Sequence, residues 1–296
     1  MNTMKKILVP TDFSVNSRAG VRFAIHWANK QKLELVFVHV LAVLRVTSWS
    51  DSFFAKYAAE EEEICRRKFE KFITGIYRKM NVRPGKHSLL IIQGISADIT
   101  ILDYCRKSTR FDFICISTRG AGRFKKIFGT NTGNLITKSE IPVLAVPQNY
   151  KATDVKSVLY AADLRNYTSE IKKVIDFAQP LKTKIDVVHF YWPEEVLIDE
   201  ETIEAAFKKQ FKYGFKLHFE KIDGTHSLIE SLQDQIRLLK PSVVVMFTNR
   251  KRTTFQKLFL SSKSEALSFR LKVPLLVFNK TAPAIEKKIL TQKLAS

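Results

Sequence analysis

The feature that most constrains this chain is that it runs through one pattern twice. "KILVPTD" (Lys6 to Asp12) has its counterpart in "SVLYAAD" (Ser157 to Asp163), and "LELVFVHVL" in "KIDVVHFY". "DFICIST" then answers to "SVVVMFT", and "PVLAV" to "PLLVF", in the same order. "FQKLFLSS" from Phe255 follows "FKKIFGTN" from Phe124 by 131 residues, with Phe, Lys and Phe superposed. A repeat of this length is domain-sized, so the expected division is residues 1–149 and residues 150–280, joined near Gln148 to Asp154. Residues 281–296 follow the last strand as a tail or terminal helix.

Within each copy, short apolar runs alternate with helical patterns. Lys6 to Pro10 and Glu34 to Val40 read as strands, and Ala19, Phe23 and Trp27, four apart, form the stripe of a helix laid on a sheet. After an irregular insert, a helix opening on the acidic "AEEEEI" turns Cys65, Phe69, Phe72, Ile73, Ile76 and Met80 to one face. "LLIIQG", a helix from Ala97, "FDFICIST", a helix from about Thr132 and "VLAVP" complete the series. Strands that are apolar on both faces belong in a parallel sheet covered on both sides. The expected fold class is α/β: two tandem doubly wound, Rossmann-like domains, each a mainly parallel five-stranded sheet flanked by helices.

Composition narrows the function classes. No apolar run reaches the ~18 residues that span a bilayer, and Met4-Lys5-Lys6 leads straight into a strand, so a cytoplasmic protein with no membrane span is expected. Cys65, Cys105 and Cys115 show no CxxC spacing and read as small core residues. The formal net charge is +20, with 24 Lys/Arg against 12 Asp/Glu in residues 1–150 and 25 against 17 in residues 151–296. An excess spread over both halves draws anions of many kinds, among them nucleotides, nucleic acid and acidic surfaces, and equally serves solubility.

The chemistry concentrates in "STRGAGRFKKIFGTNTG", Ser117 to Gly133, which holds four of the ten glycines and four basic side chains. It follows the fourth strand, and in an open parallel sheet ligands gather beyond the carboxyl ends of the strands. Gly120, Gly122 and Gly129 either allow close backbone approach to an anion or serve only as turn residues between strand and helix, and Thr130 and Thr132 offer hydroxyls or a helix cap. Asp12, at the end of the first strand, either accepts from ribose hydroxyls or an amine, or caps the next helix. Val40, ending the second strand, can pack against a base. His39 reads as a satisfied core residue rather than a base. Arg119, Arg123, Lys125 and Lys126 are either phosphate contacts or a solvated face. No GxxxxGK[ST] is present, which disfavours a P-loop NTPase.

With "KKILVPTDFS", "VFVHVL" and the run from Ile116 through "STRGAG", "GTNTG" and "SEIPVLAVP", the chain resembles the universal stress protein family in its tandem two-domain form. The loop resembles that family's nucleotide motif, Gly, two residues, Gly, nine residues, then Gly-Ser or Gly-Thr. The resemblance implies ATP as ligand, with Mg2+ only as the nucleotide's companion. It implies that Asp12 and Val40 contact adenosine and that Gly120, Gly129 and Thr130 surround ribose and phosphates. The candidate binding set is Pro10, Thr11, Asp12, Val40, Ser117, Thr118, Arg119, Gly120, Gly122, Gly129, Thr130, Asn131 and Thr132. It further implies an internal pseudo-dimer of the two domains around "VLAV" and "LLVF". Pairing of two such chains stays open.

Two departures from the motif matter. Ser117 stands at the first glycine, where a left-handed backbone would cost roughly 1–2 kcal/mol, and eight residues rather than nine separate Gly120 from Gly129. The second copy keeps Asp163, but its loop, "TNRKRTTFQKLFLSSKSEAL", has no glycine, with Lys251, Thr253 and Leu260 at the glycine positions. It reads as a degenerate partner domain that retains positive charge. The leading function is an adenine-nucleotide-binding stress-response module acting on an unknown protein partner. The alternative is a nucleotide-independent scaffold or a nucleic-acid or anion binder using the basic surface. Hydrolysis would need a positioned water, a base and usually a metal, for which Asp12 is the one obvious acid near the loop; at most slow, incidental turnover is expected.

Overall fold

A computed structural model describes residues 4–107, 111–118, 130–162, 167–191, 200–222, 228–248 and 272–279. In the first half, β1 (Lys6–Pro10), α1 (Arg18–Gln31), β2 (Glu34–Leu41), α2 (Asp51–Met80), β3 (His87–Gln93), α3 (Ala97–Lys107), β4 (Phe113–Thr118), α4 (Thr130–Lys138) and β5 (Val143–Pro147) alternate strictly. The second half follows with β6 (Ser157–Ala162), α5 (Tyr167–Ala178), β7 (Lys184–Tyr191), α6 (Glu200–Gln210), β8 (Phe215–Lys221), α7 (Leu228–Leu239), β9 (Val243–Thr248) and β10 (Leu275–Asn279).

Among the described residues ten strands form one sheet in the order β3-β2-β1-β4-β5-β10-β9-β6-β7-β8. Each half has the doubly wound order and is parallel throughout, and the halves meet where β5 and β10 pair antiparallel. In that junction Leu276 faces Leu144, while Leu275 faces Ala145 and Val277 faces Val143. Leu144 and Leu276 occupy the same place in the two sequence copies, so a local two-fold axis passes between them. Trp27 and Phe177, again copies of one position, stack edge to face across the same axis at 5.5 Å.

Alternation along each strand explains its continuous apolar run. Ile7 and Val9 join the core under α1 and α2 with Phe23, Trp27, Phe69 and Ile73, while Leu8 joins the core under α3 and α4 with Ile101, Leu135 and Ile136. The repeat extends to turn geometry. Helix α1 and the 3-10 turn after α5 both end on a lysine in the left-handed region, Lys32 at φ 51° and Lys182 at φ 53°.

Helix α2 begins nine residues before the acidic run that opens at Glu60, at Asp51, with the Ser50 side chain accepting from Phe53 N as N-cap. Its first two turns are largely exposed, and their apolar residues Phe53, Phe54 and Tyr57 gather around Trp49. Cys65 and Cys115 are buried and Cys105 half-buried, all three as free thiols. Burial pushes the Cys105 thiol up to about 11 and that of Cys115 further still, so neither is a thiolate at neutral pH. No helix among the described residues is long and apolar enough to cross a membrane.

Candidate functional site

Strand order reverses between β1 and β4, and the crossovers diverge there to α1 on one face and α4 on the other. A cleft opens at the carboxyl ends of β1, β2 and β4. Its apolar wall is Val38, Val40, Ile101, Ile116 and Leu135; its polar wall includes Asp12, Ser14, Asn16, Asn131 and Thr132. Val38 and Val40 reach the same wall because they are two apart on one strand.

The β1–α1 loop is locked by its own hydroxyls. Thr11 Oγ1 lies 2.8 Å from Ser17 Oγ, and Ser17 Oγ donates to the Ser14 carbonyl at 2.9 Å. Ser17 therefore accepts from Thr11, whose oxygen in turn accepts from Phe13 N at 3.2 Å. Phe13 sits at φ 62°, a conformation that costs a non-glycine residue about 1–2 kcal/mol. Its ring holds it there, stacked on His39 at 4.2 Å and tilted against Phe69 and Phe72. His39 Nδ1 donates to the Thr11 carbonyl at 2.8 Å, which ties the end of β1 to β2. The second half repeats this tie, His189 Nδ1 to the Ala162 carbonyl at 3.1 Å. A bond present in both copies belongs to the fold; His39 itself is half-buried rather than in the core, and it lines the cleft between Val38 and Val40.

Asp12 is exposed at the cleft and does not cap α1, which starts six residues later behind Ser17. It closes an Asx turn instead, Oδ1 accepting from Ser14 N at 3.0 Å. Partial burial pushes the Asp12 carboxyl up, but hydrogen bonds led by the Ser14 hydroxyl and backbone N–H together outweigh it and hold the group below its ordinary range. Asp12 is thus an ionised acceptor at neutral pH. It is the only Asp, Glu, Lys or Arg among the described residues lining the cleft.

Ser117 has extended backbone inside β4, in register with Val146, so no left-handed strain arises there. Its hydroxyl donates to the Ser17 carbonyl at 2.9 Å and accepts from Gly20 N at 2.6 Å. Helix α1 has no side-chain cap from Ser17, so Ser117 satisfies one of the four N–H groups a helix leaves open at its start. The approach requires glycine opposite: a Cβ on Gly20 would lie 2.8 Å from Ser117 N. Ser117→Ala is expected to destabilise by about 1 kcal/mol, the usual worth of a helix cap, measured as a lower urea midpoint at unchanged slope.

Of the other candidates, Pro10 and Thr11 line the cleft, and so do exposed Asn131 and buried Thr132, whose hydroxyl donates to the Ser117 carbonyl at 3.3 Å. Thr118 ends β4 buried, paired with Pro147, and is not part of the wall. Thr130 opens α4. Arg119, Gly120, Gly122 and Gly129 lie outside the described residues, as do Phe124 and the second-half loop.

Asp98 was not visible as a site residue. It is 4% exposed in the first turn of α3, beside cleft residue Ala97. Oδ1 accepts from Ser96 Oγ and Oδ2 from Asn134 Nδ2, each at 2.6 Å, which pins α4 to α3. Acid in a first helical turn was the available signal; its partner lies 36 residues away. Among the described residues no group of three His, Cys, Asp or Glu side chains is placed to hold a metal.

The second half holds larger side chains at matching positions. Glu170 stands for Gly20, Phe247 for Ser117 and Tyr160 for Val9. Phe247 stacks on Phe278 at 5.0 Å and meets Tyr160 edge-on, and the Tyr160 hydroxyl donates to the Glu170 carboxylate.

A doubly wound α/β sheet with a cleft at its switch point is the architecture in which bound ligands, where present, lie beyond the strand ends. Residues 3–147 match the model of the universal stress protein family, so this stretch is a domain of that family. A universal stress protein from Archaeoglobus fulgidus DSM 4304 has a similar structure, with TM-score 0.69 and 17% identity over 93% of this chain and 98% of that one. A protein of unknown function from Pseudomonas aeruginosa PAO1 is similar at TM-score 0.55 and 18% identity, over 94% and 93% of the two chains. At these identities the likeness concerns the fold. No curated protein matches the chain by sequence.

Proposed function

We propose that this universal stress protein is a stress-response regulatory module that binds adenine nucleotide, ATP in the first instance, in the cleft of its first half. One observation carries the reading: Asp12, Val40, Asn131 and Thr132, drawn from three separate stretches of sequence, line a single cleft at the switch point. An ionised Asp12 accepts from ribose hydroxyls or an exocyclic amine, and the Val38–Val40–Ile116–Leu135 wall takes the base. The phosphates fall to Gly120, Gly122, Gly129, Thr130 and the basic loop, with Mg2+ entering only with the nucleotide.

Residues 150–280 act in this proposal as a partner domain to residues 1–149, packed as an internal pseudo-dimer. Phe247 and Glu170, in place of Ser117 and Gly20, support a second half without an equivalent cradle. Binding is the proposed activity, with at most slow, incidental ATP hydrolysis.

Calorimetric titration with ATP tests this. Saturable heat is expected, weakened at least about tenfold by Asp12→Ala, the effect of losing a charge-assisted hydrogen bond. No heat at millimolar ATP overturns the proposal, and a salt-sensitive gel shift with single-stranded nucleic acid in the same preparation would favour the basic-surface alternative.

A further inference from the structure

A second cavity, of about 410 Å³, lies where α1 meets the connector between the halves and the 3-10 turn Gln179–Leu181. Its size falls within the roughly 300–1,000 Å³ of small-molecule sites, and such sites favour junctions between folded units. It shares no lining residue with the cleft beside Asp12.

The floor is apolar and partly aromatic: Phe23 and Trp27, with Val155 and Leu181 alongside. The rim is basic, carrying His26, Lys30, Lys156 and Lys182 against a single acid, Asp154. That acid is committed. Its Oδ1 lies 2.7 Å from His26 Nε2 and its Oδ2 3.4 Å from Lys30 Nζ, and these two contacts, His26 foremost, hold the carboxyl below its ordinary range. Asp154 is therefore engaged by His26 and Lys30. Lys156 and Lys182, both exposed, have no acidic partner among the described residues.

We infer that this crevice binds a small organic carboxylate with an aromatic or aliphatic body. The body lies on the Phe23–Trp27–Leu181 floor and the carboxylate meets the Lys156 and Lys182 ammonium groups. Apolar contact supplies affinity, and the paired charges select an acid over a neutral molecule of the same shape. The local two-fold generates a mate of this crevice around Lys5, Lys32 and Asp176, but that one holds about 260 Å³, and Lys5 Nζ is already bonded to the Asp176 carbonyl at 3.5 Å. One site per chain is therefore expected.

The test is titration of the full chain with 1-naphthoate, and with neutral 1-naphthylmethanol, following Trp27 emission in a Trp49→Phe/Trp192→Phe background. Naphthoate is expected to quench Trp27 saturably with a stoichiometry of one. Lys156→Glu/Lys182→Glu should weaken it at least about tenfold while leaving the far-UV circular dichroism unchanged, since both lysines are exposed. The alcohol should bind at least about tenfold more weakly. Absence of Trp27 quenching, equal binding of acid and alcohol, or indifference to the double charge reversal overturns the inference. Loss of the signal on Asp12→Ala would also overturn it, because the probe would then sit in the other cleft.

Discussion

Trp27→Ala is expected to lower the stability of this protein by about 3–5 kcal/mol, the range for truncating a large buried aromatic side chain. Trp27 is 6% exposed and touches Phe23, Phe113 and Phe177, at ring separations of 6.3, 5.0 and 5.5 Å. Two of these partners belong to the first half and one to the second, so the same ring closes the core and the junction. Phe177→Ala removes the matching side chain from the other copy. If the two rings share one contact on the local axis, the double variant loses less than the sum of the single losses, with a coupling of at least about 0.5 kcal/mol. Urea unfolding of the four species measures this directly. Strict additivity would mean that the two rings contribute to the junction independently.

The architecture was legible because it is written in properties of short segments. Apolar runs, the Ala19–Phe23–Trp27 stripe and the repeated order of motifs each survive being read locally, and the structure places that stripe in the core and the strands in doubly wound order. Harder to see was anything that depends on which surface a side chain meets. The start of α2 was harder to see because Phe53, Phe54 and Tyr57 gather around Trp49, itself outside the helix, although Ser50 three residues before Phe53 was a usable cap signal. Asp12 and its helix-cap alternative differ by a turn of loop that the strained Phe13 decides, and Phe13 is held from β2 and α2. Ser117 read as a damaged glycine motif. Its hydroxyl instead caps a helix that begins 99 residues earlier, a use decided wholly by tertiary contact.

Asp98 shows what such a contact is worth and how it is measured. Asp98→Ala is expected to destabilise by about 2–3 kcal/mol, since it strips Ser96 Oγ, Asn134 Nδ2 and the Ile99 N–H of a charged acceptor at a buried position. Burial raises the Asp98 carboxyl, but the hydrogen bonds from Ser96, Asn134 and the backbone prevail, so its native pKa lies below the ordinary 3.8. A carboxylate depressed in the folded state stabilises fully above its unfolded pKa, and that stabilisation is lost as pH falls through the native value. The gap between wild type and Asp98→Ala should therefore be constant from about pH 5 to 7 and narrow below about pH 4. Urea midpoints at pH 7, 5 and 3 check both the size and the sign. A gap that widens in acid would show that the carboxyl is raised, and that the link from α3 to α4 is made by a protonated acid donating to Asn134 rather than by a carboxylate accepting from it. Because α4 carries Asn131 and Thr132 into the cleft, the same variant is expected to weaken ATP binding without touching any group proposed to contact the nucleotide.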